Sequence, residues 1–331
     1  MGFPKSAIFA FNANIDHLVS AGEAEVAKLD GAHPEIASAM SECFATGVQR
    51  EAQIDARVCA HLLSNFKSVK IIGGQAGNAA EQASALGVDC FLHTNFANAE
   101  LFGLFSRPEK ILSPSGGKFV RAGQIDSQSA GARHFVFENA ESRTRFICSY
   151  DPFPLHPDSA FCDLISPELP GIGKAFVGGL HLVKTPERAR KFVSEIRRWK
   201  EINPSLSVFF EMGEFQSASV LEVARKELFP LADAVGLNEF ELASTGCSPE
   251  ELLEEAKALL LHSPEAQKIY PEGKENPAAL SFARKCAAFK AKTGRCANAA
   301  EAEGYEEEFV DKPARTVGLG DTLSCAYFMA L

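Results

Sequence analysis

The chain has 331 residues, 46% of them hydrophobic, with a net charge of −10 and a pI near 5.4. That is enough apolar material for one large domain or two smaller ones, and the acidic balance argues against a nucleic-acid or anionic-membrane binder, which needs a basic face. Nine cysteines, odd in number and without C-x-x-C spacing, fit reduced, mostly buried thiols and a cytoplasmic setting; the N-terminus does not read as a signal peptide and no apolar run is long enough to span a bilayer.

Residues 6–11 form a short apolar run, the pattern of a buried strand, ending at Asn12-Ala13-Asn14-Ile15-Asp16. Residues 22–66 are helical in composition, with Pro34 opening one segment and 48–66 forming a longer amphipathic one. A second buried strand is expected at 69–72. It runs into Gly73-Gly74-Gln75-Ala76-Gly77-Asn78, a small-residue helix to Leu86, and a third strand at 88–93. Strand, loop, helix and strand in this order predict a parallel sheet.

Residues 95–150 break the rhythm. The stretch 105–117 is rich in Pro, Ser and Gly and reads as loop; strands follow at 118–121, 134–138 and 144–149, the last two joined as a hairpin. Strands without intervening helices suggest a small antiparallel sheet beside the main one, acting as a lid. From 151 the α/β alternation resumes: strands at 175–178, 206–211 and 234–237, helices at 186–200, 217–228, 249–261 and 278–292, and an acidic surface turn at 301–308. The expected division is a large Rossmann-like domain from 1–14, 51–94 and 151–331, and a small lid from 15–50 and 95–150.

Thr316-Val317-Gly318-Leu319-Gly320-Asp321-Thr322-Leu323-Ser324 reads as a tight turn feeding a helix N-terminus. The first amides of a helix lack intrahelical partners and its dipole is positive there, so the turn is an anion cradle that glycines open to a phosphate. Asp321 is either a general base within that cradle or a helix cap. Ligands of open α/β sheets bind at the carboxyl ends of the strands, and polar residues gather at those ends. Asn12, Asn14 and Asp16 suit a polyhydroxylated ligand, or form an Asx turn. Gly74, Gln75 and Asn78 line a loop that brings backbone close to a ligand. Glu211 and Glu241, with Asn238, suit a water-rich Mg²⁺ site. Lys118, Arg121, Arg143 and Arg145 are the basic residues of the expected lid, suited to phosphates. The histidines show no metal spacing; His134 and His181 read as core or cleft-wall residues. Walker, G-x-G-x-x-G and G-x-S-x-G motifs are absent, which disfavours P-loop enzymes, dinucleotide dehydrogenases and α/β hydrolases.

Taken together, these pieces resemble the ADP-dependent sugar kinases, the archaeal glucokinase and 6-phosphofructokinase family of the ribokinase-like superfamily. The resemblance rests on Asn12-Ala13-Asn14-Ile15-Asp16, similar to the family's N-x-N-[IV]-D; on Gly73 to Gly77, similar to its GGQAG loop; on Asn238 to Glu241, similar to N-x-x-E; and on 316–324, similar to its catalytic turn. It implies an α/β/α three-layer domain with a mostly parallel sheet and a small β-rich lid. It implies phosphoryl transfer from ADP, with Mg²⁺, to a sugar or sugar phosphate, giving AMP. Asp321 would be the base and the amides of Gly318 to Asp321, those of Gly318 and Gly320 among them, the anion hole. Asn12, Asn14, Asp16, Gly74, Gln75 and Asn78 would face the sugar. Asn238, Leu319 and His262 would lie on the nucleotide side, and Glu211 and Glu241 at the metal. Arg145 would neutralise phosphate charge. Lys118 and Arg145 together favour fructose 6-phosphate over glucose. The family's H-x-E motif reads Phe209-Phe210-Glu211 here, without its histidine. An ATP-dependent ribokinase-like kinase and a catalytically weak sugar- or nucleotide-binding relative are the competing readings. The sequence does not report oligomeric state.

Overall fold

The computed structural model describes residues 2–142, 144–263, 266–311, 313–314 and 316–331. The chain divides into two compact units: Met1–Ala13, Gly74–Ser127 and Leu155–Leu331 form the first, Asn14–Gly73 and Gln128–Pro154 the second. Strands and helices are numbered below in chain order through both units.

Unit 1 is built on a nine-stranded sheet. Its order is β14 (Gln267–Tyr270), β13 (Leu259–His262), β12 (Ala234–Leu237), β11 (Ser207–Glu211), β10 (Lys174–Val177), β1 (Ser6–Ala10), β5 (Asp89–Leu92), β6 (Ile111–Ser115) and β7 (Lys118–Arg121). The strands from β13 to β6 are all parallel, and only the outermost two, β14 and β7, run antiparallel to their neighbours. The central strands are continuous apolar runs because both faces are covered. Successive side chains alternate across the sheet. Val208 and Phe210 of β11 enter one core with Phe192 and Trp199 of α7 (Pro186–Ile202). Phe209 points to the other layer and meets Phe328 of α13 (Leu319–Ala330) at 5.3 Å between centroids. That second layer also holds α4 (Gln75–Ala85) and α11 (Pro277–Thr293). The result is the α/β/α sandwich with a mostly parallel sheet.

Unit 2 has a five-stranded mixed sheet, β3 (Arg50–Gln53), β9 (Thr144–Tyr150), β8 (Arg133–Asn139), β2 (Asn14–Ser20) and β4 (Val69–Gly73). One face packs on α1 (Glu23–Asp30), α2 (Pro34–Thr46) and α3 (Ala56–Asn65). Phe135, Phe137, Phe146, Cys148 and Val19 from the sheet meet Leu29, Met40, Cys43 and Leu62 from the helices. The period of two therefore puts Asn14, Asp16, His134 and Ser149 on the opposite face.

Several expected elements are placed differently. Residues 14–20 form β2, not an Asx turn, and pair antiparallel with β4. The strand at 69–73 therefore belongs to unit 2 and does not form a parallel pair with 88–93. Residues 51–73 thus sit in the small unit. Residues 95–127 sit in the large one, because Ile111 and Leu112 of β6 extend the ladder from Cys90 and Phe91. Pro114, the reason to expect loop, lies beyond that ladder, where a missing N–H breaks no bond to β5. Lys118 and Arg121 are consequently on the edge strand of the large sheet, not on a lid. Residues 48–66 are not one helix. Arg50–Gln53 pairs with β9, and α3 starts only where the Asp55 carboxylate accepts from the amides of Arg57 and Val58, both at 2.9 Å. The expected helix at 249–261 ends after Leu252, and the Leu-rich run continues as β13; a short apolar run does not distinguish buried helix from buried strand. The 217–228 helix continues past Val223 as a π turn at Ala224–Leu228. The acidic stretch opens with a short helix, α12 (Ala299–Glu303), capped by Asn298.

Candidate active site

The parallel strands of unit 1 bring their carboxyl ends to one edge, and the sequence fills that edge with polar groups. Asn12 follows β1, Gly178-Gly179 follow β10 and Asn238 follows β12, while β11 ends at Glu211 and β13 at His262. Gly318 caps α13 at φ 68° and ψ 19°, a left-handed conformation natural to glycine. A Cβ there would lie 2.3 Å from Asn78 Oδ1. The helix begins at Leu319, so the amides of Leu319, Gly320 and Asp321 fall in the turn that lacks intrahelical acceptors. Asp321 is half-buried in that turn, and its charge reaches both Glu241 and His262.

Behind the turn stands Lys290 of α11, 4% exposed. Its Nζ donates to Thr322 Oγ1 at 2.9 Å, to the Gly318 carbonyl at 3.1 Å and to Asn78 Oδ1 at 3.3 Å. The sequence reading passed over it, yet a signal existed. Ala279, Ala283, Cys286 and Lys290 recur at helical spacing on the buried side of α11, so a lysine interrupts an apolar stripe.

Glu211 is buried. Its Oε1 faces His262 Nε2 at 3.0 Å, and its Oε2 has no hydrogen-bond partner. A Cβ at Gly236 would fall 2.3 Å from that Oε2, so glycine on β12 makes the room. Glu241 closes a capping box, its Oε2 accepting from the Asn238 amide at 2.9 Å while Asn238 Oδ1 accepts from Glu241 N. Burial, then the Glu211 charge, pushes Glu241 up to about 7. Burial works against a charged His262, but Glu211, and behind it Glu241 and Asp321, raise it above the ordinary imidazole range. Two neighbouring carboxyl side chains, Glu211 and Glu241, and an orphan carboxylate oxygen fit a hydrated divalent cation. Among the described residues no group of three or more His, Cys, Asp or Glu side chains is arranged to chelate a metal directly, so such a cation would rest on two carboxylates and water. The imidazole beside Glu211 comes from β13. Position 209 is fully buried and stacks on Phe176 at 5.3 Å and 9°, an apolar slot that suits phenylalanine.

Gln75, expected to face a sugar, spends its amide on the backbone. Its Oε1 accepts from Gly179 N at 2.7 Å and its Nε2 donates to the Met212 carbonyl. Asn12 holds the same loop, accepting from Gly77 N through its carbonyl at 3.2 Å and from Ala76 N through its side chain at 3.4 Å. Gly74 caps α4 at φ 75°. Asn78 is buried and bonded to the Gly74 carbonyl and Lys290.

Unit 2 carries Asn14, Asp16 and Arg145. Asn14 Nδ2 donates to Asp16 Oδ1 at 2.5 Å, and both press on Gly73, where a Cβ would lie 2.1 Å from that oxygen. Burial raises Asp16 from 3.8 to about 6, against the lowering influence of His134, Asn14 and Arg145. Asp16 and His134 are register partners across β2 and β8, as are His134 and Ser149 across β8 and β9. His134 Nε2 reaches Asp151 Oδ1 at 3.1 Å. Burial opposes its charge, but Asp151, Asp16 and Glu51 hold it at about 9. Ser149 donates to Glu51. His134 thus belongs to a polar cluster and not to the apolar core, which only the strand register shows. Arg145 donates twice to Gln49 Oε1, at 2.7 and 3.0 Å. Arg121 pairs with Asp89 at 3.0 Å in unit 1; Arg143 lies outside the described residues.

No helix among the described residues is long and apolar enough to cross a membrane. The sequence model for the conserved region of ADP-specific phosphofructokinase/glucokinase matches residues 5–270, a stretch that ends before the Gly318 turn. No curated protein sequence matches the chain. Its fold is similar to a hypothetical ADP-dependent phosphofructokinase from Pyrococcus horikoshii OT3, with 16% identity over 99% of this chain and 98% of that one and a TM-score of 0.77. It is similar to an ADP-dependent kinase solved with fructose-6-phosphate and ADPβS, with 17% identity, 98% and 93% coverage and a TM-score of 0.79. The ribokinase of Giardia lamblia is more distant: 13% identity, 80% and 72% coverage, TM-score 0.50.

Proposed function

Because the chain belongs to the ADP-specific phosphofructokinase/glucokinase family, we propose that it transfers the terminal phosphoryl group of ADP to a hydroxyl of a sugar or sugar phosphate, giving AMP and the phosphorylated product. The observation that carries the reading is the Gly318 turn at the carboxyl edge of the sheet: a left-handed glycine, the opening amides of a helix, and a carboxylate in the same turn whose charge reaches Glu241 and His262. Phosphoryl transfer needs little covalent chemistry from the protein; positioning and charge stabilisation do most of it. Asp321 takes the proton of the attacking hydroxyl. The amides of Leu319 to Asp321 bind the transferring group. Glu211 and Glu241 would hold a hydrated Mg²⁺, which would supply charge neutralisation for the donor phosphates. Asn238, His262 and Leu319 lie on the nucleotide side. Asn14 and Asp16 recognise sugar hydroxyls, and Arg145 is the phosphate contact of unit 2. Gln75 and Asn12 act by fixing the loop from which α4 starts.

Fructose 6-phosphate remains the first substrate to try, on the charge of Arg145. A second reading, a neutral sugar such as glucose, is favoured by the carboxylates of Asp16, Glu51 and Asp151 around His134, an acidic setting that disfavours a phosphate.

The test is initial-rate turnover with ADP and with ATP, against fructose 6-phosphate, glucose and ribose, in wild type and Asp321→Asn. Turnover with ADP that falls by roughly 10²- to 10⁴-fold in the variant, the usual share of a general base, supports the reading. ATP-only turnover assigns the chain a different donor. Ligand binding without turnover leaves a non-catalytic relative, and wild-type rates in Asp321→Asn remove Asp321 as the base.

A further inference from the structure

Among the described residues Lys290 is the only buried lysine or arginine. An ammonium has three N–H donors, and here three neutral oxygens from two helices receive them: Asn78 Oδ1 of α4, and the Gly318 carbonyl and Thr322 hydroxyl at the start of α13. None is a carboxylate. Glu81 of α4 feels the Lys290 charge, but its carboxylate bonds to Ser106, whose hydroxyl lies 2.5 Å away.

The location runs against ordinary helix electrostatics. The N-terminus of a helix already carries partial positive charge, and cations favour the opposite end. The other end of α13 follows that rule, with Lys174 Nζ donating to the carbonyls of Phe328 and Met329 at 2.5 and 3.3 Å. Lys290 adds a buried positive charge to the end that is already positive. Such an arrangement is unfavourable by itself and becomes favourable when an anion occupies the turn. Peptide geometry supplies the link. The Gly318 carbonyl and the Leu319 amide share one planar trans peptide and point in opposite directions. Lys290 and the Thr322 amide, each 3.1 Å from the Gly318 carbonyl, therefore aim the Leu319 N–H away from the protein interior, and the contact with Asn78 holds that side chain in the place where a Cβ at Gly318 would fall.

We propose that Lys290 is a positioning residue for phosphate-chain binding. It holds the Gly318 peptide in the orientation that presents the Leu319 amide, and adds a fixed positive charge behind the turn that receives the terminal phosphate of a nucleoside diphosphate. This deepens the kinase reading and rests on it for the identity of the anion.

The experiment uses Lys290→Met, which keeps the volume, and Lys290→Ala, which opens space for a soluble amine. In Lys290→Met, kcat falls by roughly tenfold to a hundredfold, less than deletion of a hole donor itself. The affinity for pyrophosphate, measured by calorimetry on the full chain, falls by about tenfold, while the sugar KM stays within about twofold and the thermal midpoint does not fall. In Lys290→Ala, propylammonium restores turnover saturably and tetramethylammonium does not. A merely structural lysine predicts the reverse: lost thermal stability, unchanged pyrophosphate affinity and no amine rescue. Any of these results overturns the proposal, as does failure of both variants to fold at low temperature. If wild type turns over neither ADP nor ATP, the kinase reading fails separately. Pyrophosphate binding then decides for Lys290 alone: equal affinity in wild type and Lys290→Met, or none in wild type, overturns it.

Discussion

Replacing Asp16 with asparagine is expected to stabilise unit 2 at neutral pH while weakening sugar binding. Asp16 is 5% exposed, and burial raises its carboxyl from 3.8 to about 6. A raised acid binds its proton more tightly in the folded than in the unfolded chain, so its contribution is fully favourable below pH 3.8 and is lost as pH rises through 6. Each tenfold in proton affinity corresponds to about 1.4 kcal/mol, which puts the cost of the ionised carboxylate at about 3 kcal/mol above pH 7. Asp16→Asn removes that cost and keeps an oxygen for Asn14 Nδ2. It also removes part of the charge that holds His134 at about 9, so the net gain is expected at about 2 kcal/mol. Urea unfolding followed by far-ultraviolet circular dichroism, at steps from pH 4 to 8, measures it. The single tryptophan, Trp199, lies in unit 1 and is not the probe to use. The stability gap between variant and wild type should widen from near zero at pH 4 to its plateau above pH 7, with the sugar KM raised throughout. A gap independent of pH, or a variant less stable at pH 8, refutes the reasoning.

Gly318→Ala forces a side chain into left-handed backbone, at a cost of about 1–2 kcal/mol, and drives a methyl into Asn78; kinetics should show a large fall in kcat with the sugar KM little changed. Gln75→Ala leaves the Gly179 amide and the Met212 carbonyl without their partner, at about 1–3 kcal/mol for each buried group. It should lower the thermal midpoint, whereas a pure sugar ligand would raise KM and leave the midpoint alone. Chelation with EDTA should abolish turnover and added Mg²⁺ restore it, and Glu211→Gln should raise the Mg²⁺ concentration needed for half-maximal rate.

The parallel core was readable because its strands are unbroken apolar runs bounded by turn residues, and the Gly318 turn because its chemistry is packed into nine consecutive residues. What was misplaced depends on pairing. Nothing within residues 69–73 says that they join β2 rather than β5, and nothing within 118–121 names the large sheet. The Leu259–His262 run follows a capped helix start and reads as its continuation until β12 and β14 are seen on either side. The same limit governs the site. Asp321, Gly318, Glu211 and Asp16 announce themselves locally. The His262 contact with Glu211, the row from Asp16 through His134 to Ser149, and the reach of Lys290 to Gly318 arise from register and helix packing, which no local window contains. Gln75 is the converse case: its motif is local, but its amide is bound to two distant backbone groups.

Cys325 gives the chain a native reporter of motion at the Gly318 turn. It lies one helical turn beyond Asp321, is fully buried, and donates from Sγ to the Ala79 carbonyl of α4 at 3.1 Å. Its thiol is held far above the ordinary range by burial, so a thiol-alkylating reagent reaches it as thiolate only when α13 lifts from α4. The alkylation rate of this one residue, resolved by peptide mass, therefore measures how often the helix that presents Asp321 detaches. Slower labelling in the presence of nucleotide would record ligand clamping that helix, without introducing any label.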